Sequence, residues 1–295
     1  KDTMVAEGLC EAMTYSFESP KVFDKLLIPA DSKLRQTVTI SNPLGEDFSV
    51  MRTVSFNGIL NSLSTNYNRR NESAGLFEAA RVYIPKSLPM TELPDEIPTL
   101  TIGMYGKMDF YDLKGIVEHL MNALGIGEKA EYSTETTLPW MHPGRTAAVS
   151  IDGKQVGYLG ELHPAVAKNY DIGTKVYLAV LQIDDLIAAS NLVNVYQPLP
   201  KFPAIARDIA MLVKEDVTVK QIADEIRKNG GEYLESVKLF DVYQGEQIEA
   251  GYKSVAYSIS FRSAERTLAD TDVAEAMQNI LDGLAKELGA QLRDK

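Results

Sequence analysis

The chain has 295 residues and a formal charge of −11, from 30 Lys and Arg against 41 Asp and Glu; hydrophobic residues at 45 % and charged residues at 24 % exclude a disordered or collagen-like chain. The acidic balance argues against coating nucleic acid by bulk charge and leaves room only for a local basic patch. The length suits about two domains, no run of about 18 apolar residues predicts a membrane helix, and a single cysteine, Cys10, excludes an internal disulfide framework and fits a reducing compartment.

The chain opens Lys1-Asp2-Thr3-Met4, without an initiator methionine at position 1 or the apolar core of a signal peptide. That reads as a piece of a longer cytoplasmic protein. Strands are expected over 36–40, 75–84, 100–105, 146–151, 155–162 and 175–183. Ser55 is placed to cap a helix carrying Phe56, Ile59, Leu60, Leu63 and Tyr67. A second apolar stripe, Leu113, Ile116, Val117, Leu120 and Leu124, ends at Gly125. Four prolines over 85–98 suggest a surface loop. Short strands joined by turns imply a largely antiparallel sheet with helices on one side, an α+β layout.

Pro198, Pro200 and Pro203 remove backbone donors and force extended geometry, which marks a stiff linker. The reading is one domain over 1–190, a linker over 191–199 and a second domain over 200–295. After the linker comes a strand over 207–213. Thr218 and Gln221 then form a capping box for a helix carrying Val219, Ile222, Ala223 and Ile226, stopped near Gly230. Strands follow over 234–243 and 252–262. In the latter Val255, Tyr257, Ile259 and Phe261 take one face and Ser254, Ala256, Ser258 and Ser260 the other. Asp270 or Thr271 caps a helix with the stripe Val273, Ala276, Met277, Ile280, Leu281, Leu284 and Leu288, and a short strand ends the chain near 290–293. The order βαββαβ is the ferredoxin-like split.

The residues offer little enzyme chemistry. Cys10, His119, His142 and His163 stand at no metal-ligand spacing. His142-Pro143-Gly144 and His163-Pro164 read as turns, with no Gly-x-Ser-x-Gly elbow beside them. Gly125-Ile126-Gly127 closes a helix and does not open one, so it is no phosphate loop. The basic residues Arg207, Lys253, Arg262, Arg266 and Arg293 come from separate strands or strand ends of the second domain. Residues 196–295 carry 13 Lys and Arg against 17 Asp and Glu, so on composition alone solvated charge outranks RNA binding.

Several runs carry a resemblance. Lys201-Phe202-Pro203-Ala204, Arg207-Asp208-Ile209-Ala210, Leu239-Phe240-Asp241-Val242-Tyr243-Gln244-Gly245, Gly251-Tyr252-Lys253-Ser254, Arg266-Thr267-Leu268 and Gln291-Leu292-Arg293 appear in order. Together they resemble the ferredoxin-fold anticodon-binding domain that ends the beta subunit of bacterial phenylalanyl-tRNA synthetases. Upstream, Glu11-Ala12-Met13-Thr14-Tyr15-Ser16-Phe17, Ser41-Asn42-Pro43-Leu44, Ser49-Val50-Met51-Arg52-Thr53, Leu76-Phe77-Glu78, Asp109–Gly115, His142–Ala147 and Gly157–Pro164 are similar to the catalytic-like module of that subunit. The resemblance implies a class II synthetase-like antiparallel sheet with flanking helices, followed by the ferredoxin-like domain.

It further implies a subunit of an ATP-dependent phenylalanine–tRNA ligase in an α2β2 assembly with the catalytic alpha subunit, cytoplasmic and without membrane contact. This piece is expected to hold no cofactor itself, with ATP and Mg2+ used by the full enzyme. It is expected to be non-catalytic alone. Arg52 leads into a helix and not into a motif-2 loop, and Glu265-Arg266 has no glycine run before it. The expected alpha-subunit contact is the helix after Ser55 with the strand near 76–83. For the anticodon region of phenylalanine tRNA the implied contacts are Lys201, Arg207, Lys253, Arg262, Arg266 and Arg293 to phosphate or sugar. Phe202 and Tyr243 are the implied stacking residues. Three rivals stay open. An acylphosphatase-like enzyme would need a phosphate cradle that 214–218 does not offer. An RNA-recognition domain would need more stacking aromatics on the third strand than Tyr252. A pure assembly scaffold would make no RNA contact.

Overall fold

The computed structural model describes residues 1–293 apart from Thr136, Asn194 and Glu246. The chain divides into two compact units, Lys1–Val195 and Tyr196–Lys295.

The first unit contains α1 (Asp2–Ala6), β1 (Cys10–Glu11), β2 (Phe17–Glu18), α2 (Val22–Lys25), β3 (Val50–Met51), α3 (Asn57–Asn68), β4 (Ala74–Ile84), β5 (Asp95–Tyr105) and α4 (Phe110–Ala123). There follow β6 (Ala130–Thr134), β7 (Met141–Ile151), β8 (Lys154–Leu162), α5 (Pro164–Asn169), β9 (Val176–Gln182) and α6 (Ile183–Ala189). Seven strands form one sheet in the order β1-β4-β5-β9-β8-β7-β6, and β2 pairs with β3 in a small second sheet. All the pairings of the large sheet are antiparallel except β1 with β4.

Helices cover both faces of that sheet, not one. Residues 99–105 of β5 are buried without a break, as expected of a strand covered on both sides. Ile102 and Met104 join the core that takes Leu113, Val117 and Met121 of α4. Tyr105 joins a separate core with Ile59, Leu60 and Leu63 of α3. A Cβ on Gly103 would sit 2.5 Å from the Ile59 side chain, so glycine lets α3 lie close on the strand. α4 starts on a reciprocal cap: Asp109 Oδ1 accepts from the Asp112 backbone N–H at 3.1 Å, and Asp112 Oδ2 accepts from the Asp109 N–H at 2.7 Å.

Other expectations change. Residues 36–40 form no strand; only Thr39 bridges to Val50. β5 begins at Asp95, inside the expected loop, because β4 and β5 stay in register from Ala74↔Tyr105 to Ile84↔Asp95. Pro98 is tolerated there because pairing to β9 begins only at Thr99, leaving that side of the strand open. The His142–Arg145 stretch is not a turn between strands. It bulges out of β7, whose register jumps from Met141↔Leu162 to Thr146↔Gly160. Ser55 does not cap α3. Its Oγ accepts a 2.6 Å hydrogen bond from buried Thr101, and Phe56 takes the capping position. His163 does cap, its Nδ1 accepting from the Ala165 N–H at 3.1 Å at the start of α5.

The second unit runs β10 (Ile205–Lys214), α7 (Val219–Asn229), β11 (Leu234–Tyr243), β12 (Tyr252–Phe261), α8 (Asp270–Leu288) and β13 (Gln291–Leu292). Its sheet is ordered β11-β12-β10-β13, wholly antiparallel. Ile209, Met211 and Val213 of β10 and Val255, Tyr257, Ile259 and Phe261 of β12 bury against Ile222, Ile226, Val273, Ile280 and Leu284 of the two helices. Each such side chain stabilises by about 1.5–3 kcal/mol. The Thr218 and Gln221 capping box is present. α8 starts at Asp270 itself, because Asp272 reaches back to accept from the Ala269 N–H at 2.7 Å. Both helices lie on one side of the sheet, which leaves the opposite side uncovered by any helix of this unit.

Candidate nucleic-acid interface

The uncovered face follows from strand parity and register. Directly paired residues of an antiparallel sheet share a face. The pairs Ala206↔Ser260, Asp208↔Ser258, Ala210↔Ala256, Leu212↔Ser254 and Lys214↔Tyr252 therefore lie opposite the core. On β11, Ser236, Lys238, Asp241 and Tyr243 pair with Ser260, Ser258, Ala256 and Ser254 and share that face. At the other edge the Arg293 N–H bonds Ala210 O at 3.0 Å, which continues the sheet beside Ala210.

Tyr243 reaches this face through an irregularity. Leu239 pairs with Tyr257 on the core side, and Asp241 pairs with Ala256 on the other. Phe240 is the extra residue between them and is 55 % exposed. This β-bulge reverses the parity of the strand's last residues. Tyr243 then folds over the following loop, where a Cβ on Gly245 would sit 2.2 Å from its hydroxyl. Ser254 and Ala256 are buried although no helix covers them, because larger residues flank them in register: Tyr243 and Leu212 beside Ser254, Asp241 beside Ala256. The face is thus a trough of small residues edged by cations and two tyrosines.

The structure separates the eight sequence candidates. Tyr243 and Arg293 belong to the open face. Arg207 has the parity of Ile209 and Met211; its guanidinium pairs with Asp270 at the start of α8, at 2.5 Å. Lys253 has the parity of Val255, and its Nζ donates to Glu215 O at 2.9 Å. Arg262, just beyond β12, donates from Nε to Glu235 at 2.7 Å and from Nη1 to the carbonyl of Phe202. It staples the start of the unit to the sheet. Phe202 is half-buried, and Lys201 beside it is exposed and unpaired among the described residues. Arg266 is clamped by Asp272 through 2.7 and 2.9 Å hydrogen bonds. That contact and the Ala269 N–H hold the Asp272 carboxyl down to about 2.

Sequence reasoning missed Lys214 and Lys238. Both lie on the open face, exposed, without an ion-pair partner among the described residues. The signal was available: Lys238 alternates with Val237 and Leu239, and Lys214 shares parity with Ala210 and Leu212.

In the first unit a few charged residues are turned inward, Arg52, Glu78 and Glu18 among them. Arg52 and Glu78, with side chains 4 % and 6 % exposed, pair at 3.3 Å. Arg52 also donates to Arg81 O at 2.8 Å and to Thr14 Oγ1 at 3.1 Å. Glu78 accepts from the Thr14 N–H at 2.8 Å and the Thr14 hydroxyl at 2.9 Å. The Arg52 guanidinium is committed to the fold and not presented to a ligand. Glu18 is 4 % exposed; burial raises its carboxyl to about 7, against the opposing Asn57 hydrogen bond and Arg52 charge. Among the described residues no group of three or more His, Cys, Asp or Glu could hold a metal, and no helix is long and apolar enough to cross a membrane.

Comparison with known proteins agrees with the two-unit division. A family model described as the phenylalanyl tRNA synthetase beta chain CLM domain matches residues 1–183, and one described as a ferredoxin-fold anticodon binding domain matches residues 200–293. The chain is 47 % identical over 292 residues to the phenylalanine–tRNA ligase beta subunit of Clostridium acetobutylicum, covering 99 % of this chain and 37 % of that protein. It is 49 % identical over 292 residues to that of Clostridium tetani, with the same two shares covered. For Symbiobacterium thermophilum the identity is 39 % over 303 residues, covering 98 % of this chain and 33 % of the relative. The chain thus spans about a third of the length of these relatives. Across that span, with both matched domains in order on a sheet-and-helix fold and a ferredoxin-like fold, the chain belongs to the phenylalanine–tRNA ligase beta-subunit family.

Proposed function

We propose that this chain supplies two parts of a phenylalanine–tRNA ligase: a non-catalytic platform over 1–190 and, past a linker over 191–199, an anticodon-contacting domain over 200–295. The observation that carries the RNA half is the open sheet face, with Tyr243, Tyr252, Lys214, Lys238 and Arg293 around a trough of serine and alanine. Asp208 and Asp241 on the same face repel phosphate and accept base N–H groups. Unpaired bases therefore lie on the sheet with their phosphates at the cationic edges. The acidic charge of the chain is compatible with this, because the attraction is confined to a few side chains. Lys201 extends the edge; Arg207, Arg262 and Arg266 act by holding the fold.

The platform half assembles with the catalytic alpha subunit, through the outward side of α3 and the partly exposed stretch of β4 over 76–83. ATP and Mg2+ serve the full cytoplasmic enzyme, and the buried Arg52 leaves this chain without a motif-2 arginine. The deciding experiment titrates phenylalanine tRNA against the chain and its Tyr243→Ala/Arg293→Ala variant over a range of salt. Binding weakened at least about tenfold in the variant supports the reading, since a stacked base contributes about 1–3 kcal/mol. Equal binding sinks it and favours a pure scaffold. Phenylalanine-dependent ATP–pyrophosphate exchange by the chain alone would remove the non-catalytic assignment.

A further inference from the structure

Most basic side chains of the first unit are paired with carboxylates, including Arg35, Arg52, Lys86, Arg145 and Lys154. Four have side chains with no ion-pair or hydrogen-bond partner among the described residues: Lys168 and Lys175, on the lining of one cleft, and Arg69 and Arg70, which follow its lining residue Tyr67 in the chain. The cleft has a volume of about 930 Å³, and Lys168 and Lys175 line it. Its floor is apolar, made by the buried Leu162, Ala167, Ile172 and Val176. Tyr67 lines it from the last turn of α3, with Arg69 and Arg70 immediately after. A Cβ on Gly173 would sit 2.7 Å from the Tyr67 hydroxyl, so the end of α3 is fixed against the segment that carries Lys175. All four cations are exposed.

The carboxylates nearby do not cancel them. Glu161 is buried and held by Arg145 through contacts of 3.1 and 2.9 Å. Asp171 is the other carboxylate on the lining, against Lys168 and Lys175 there and Arg69 and Arg70 just beyond Tyr67 in the chain. In a chain of net charge −11 this is a local reversal of sign. Exposed lysines on the lining, exposed arginines next in the chain after its aromatic residue Tyr67, and an apolar floor match a phosphodiester chain carrying a sugar and base. An acidic protein segment would satisfy the cations but leave the apolar floor without an equivalent partner.

We propose that this cleft is a second RNA-contact site, which holds the phosphate backbone of the bound tRNA outside its anticodon arm. The proposal rests on the tRNA-binding reading above, and its test is built to fail separately. The affinity of the whole chain is measured for full-length phenylalanine tRNA and for the isolated anticodon stem-loop, each across a salt series. The parent is expected to bind full-length tRNA more tightly than the stem-loop. The Arg69→Ala/Arg70→Ala/Lys168→Ala/Lys175→Ala variant is expected to lose that advantage, roughly tenfold or more at low salt, with a salt slope smaller by about 0.7–0.9 for each phosphate that the variant no longer neutralises. Stem-loop affinity and the thermal midpoint should stay at parental values, because all four side chains are exposed. A Lys168→Gln/Lys175→Gln variant, which leaves the end of α3 untouched, should show part of the same loss.

Equal parental affinity for the two RNAs, or a fourfold variant that keeps the full-length advantage, overturns the second site and leaves the anticodon reading intact. Loss of stem-loop binding in the fourfold variant also overturns it, because the effect then lies in folding. Absent stem-loop binding by the parent, together with full-length binding that depends on the four cations, removes the anticodon reading and keeps this site.

Discussion

Arg266 and Asp272 hold each other through two parallel hydrogen bonds across the entry to α8, Nη1 to Oδ2 at 2.7 Å and Nη2 to Oδ1 at 2.9 Å. The same carboxylate accepts from the Ala269 N–H, so the pair fastens the preceding loop to the positive end of the helix. Arg266→Ala should therefore lower the thermal midpoint of the second unit while leaving tRNA affinity within about twofold of the parent. The Asp272 carboxyl lies near 2, below its unfolded value, so its contribution is present above about pH 4 and disappears as pH falls toward 2. The stability deficit of the variant should shrink over that window in denaturant titrations.

Sheet parity makes a paired prediction. Lys214→Ala/Lys238→Ala should weaken tRNA binding and reduce its salt slope, since both residues lie on the open face. Arg207→Ala/Lys253→Ala removes as much charge from the other parity and should change the slope little. Equal effects from both pairs, measured by filter binding over a salt series, would mean that nonspecific charge and not this face governs binding.

The parity of β10 and β12 was readable from the sequence, because Ile209, Met211 and Val213 and then Val255, Tyr257, Ile259 and Phe261 alternate strictly. Applied to the cations, the same alternation places Lys214 on the open side and Arg207 on the other. A basic residue near a strand end is not by itself a surface contact. The Thr218–Gln221 cap was legible because its signal is local. The bulge at Phe240 was not, since nothing in Leu239-Phe240-Asp241 distinguishes an extra residue from a paired one; only the partner strand decides. The bulge at His142–Arg145 was hidden behind proline and glycine, which signal a turn equally well. Ser55 misled because its competing partner, Thr101, lies far along the chain.

The Arg52–Glu78 pair predicts a large single-site effect. Glu78→Ala leaves a guanidinium buried beside Thr14 with its carboxylate partner gone and should destabilise the first unit by about 3–5 kcal/mol. Replacing both residues with apolar side chains of similar volume should cost less than either single alanine change. Urea unfolding of the three variants against the parent distinguishes a structural pair from one kept for chemistry.

Glu18 gives a pH prediction of opposite sign to Asp272. Its carboxyl is raised to about 7 by burial, so the folded chain holds a proton that the unfolded chain has released. Stability should fall as pH rises from about 4.5 to about 7 and stay reduced above that. Oε1 has no hydrogen-bond partner among the described residues, while Oε2 accepts from Asn57 at 3.1 Å. Glu18→Gln keeps an acceptor for Asn57 and should stabilise by up to about 3 kcal/mol at pH 8, with little gain at pH 4.5. A gain that does not change between those two pH values would refute the raised carboxyl.

The single extra residue at Phe240 has a consequence for how this surface tolerates change in length. Deleting it would make Leu239↔Tyr257 and Asp241↔Ala256 consecutive regular pairs and keep Tyr243 on the open face, whereas closing the bulge at constant length, with Phe240 opposite Ala256, would rotate Asp241 and Tyr243 inward toward α7 and α8 and turn Val242 out toward solvent. Point substitutions can tune the open side one residue at a time. A one-residue slip of pairing in β11 would swap two polar side chains into the core in a single step, so at this strand length the bulge is what keeps Asp241 and Tyr243 outside.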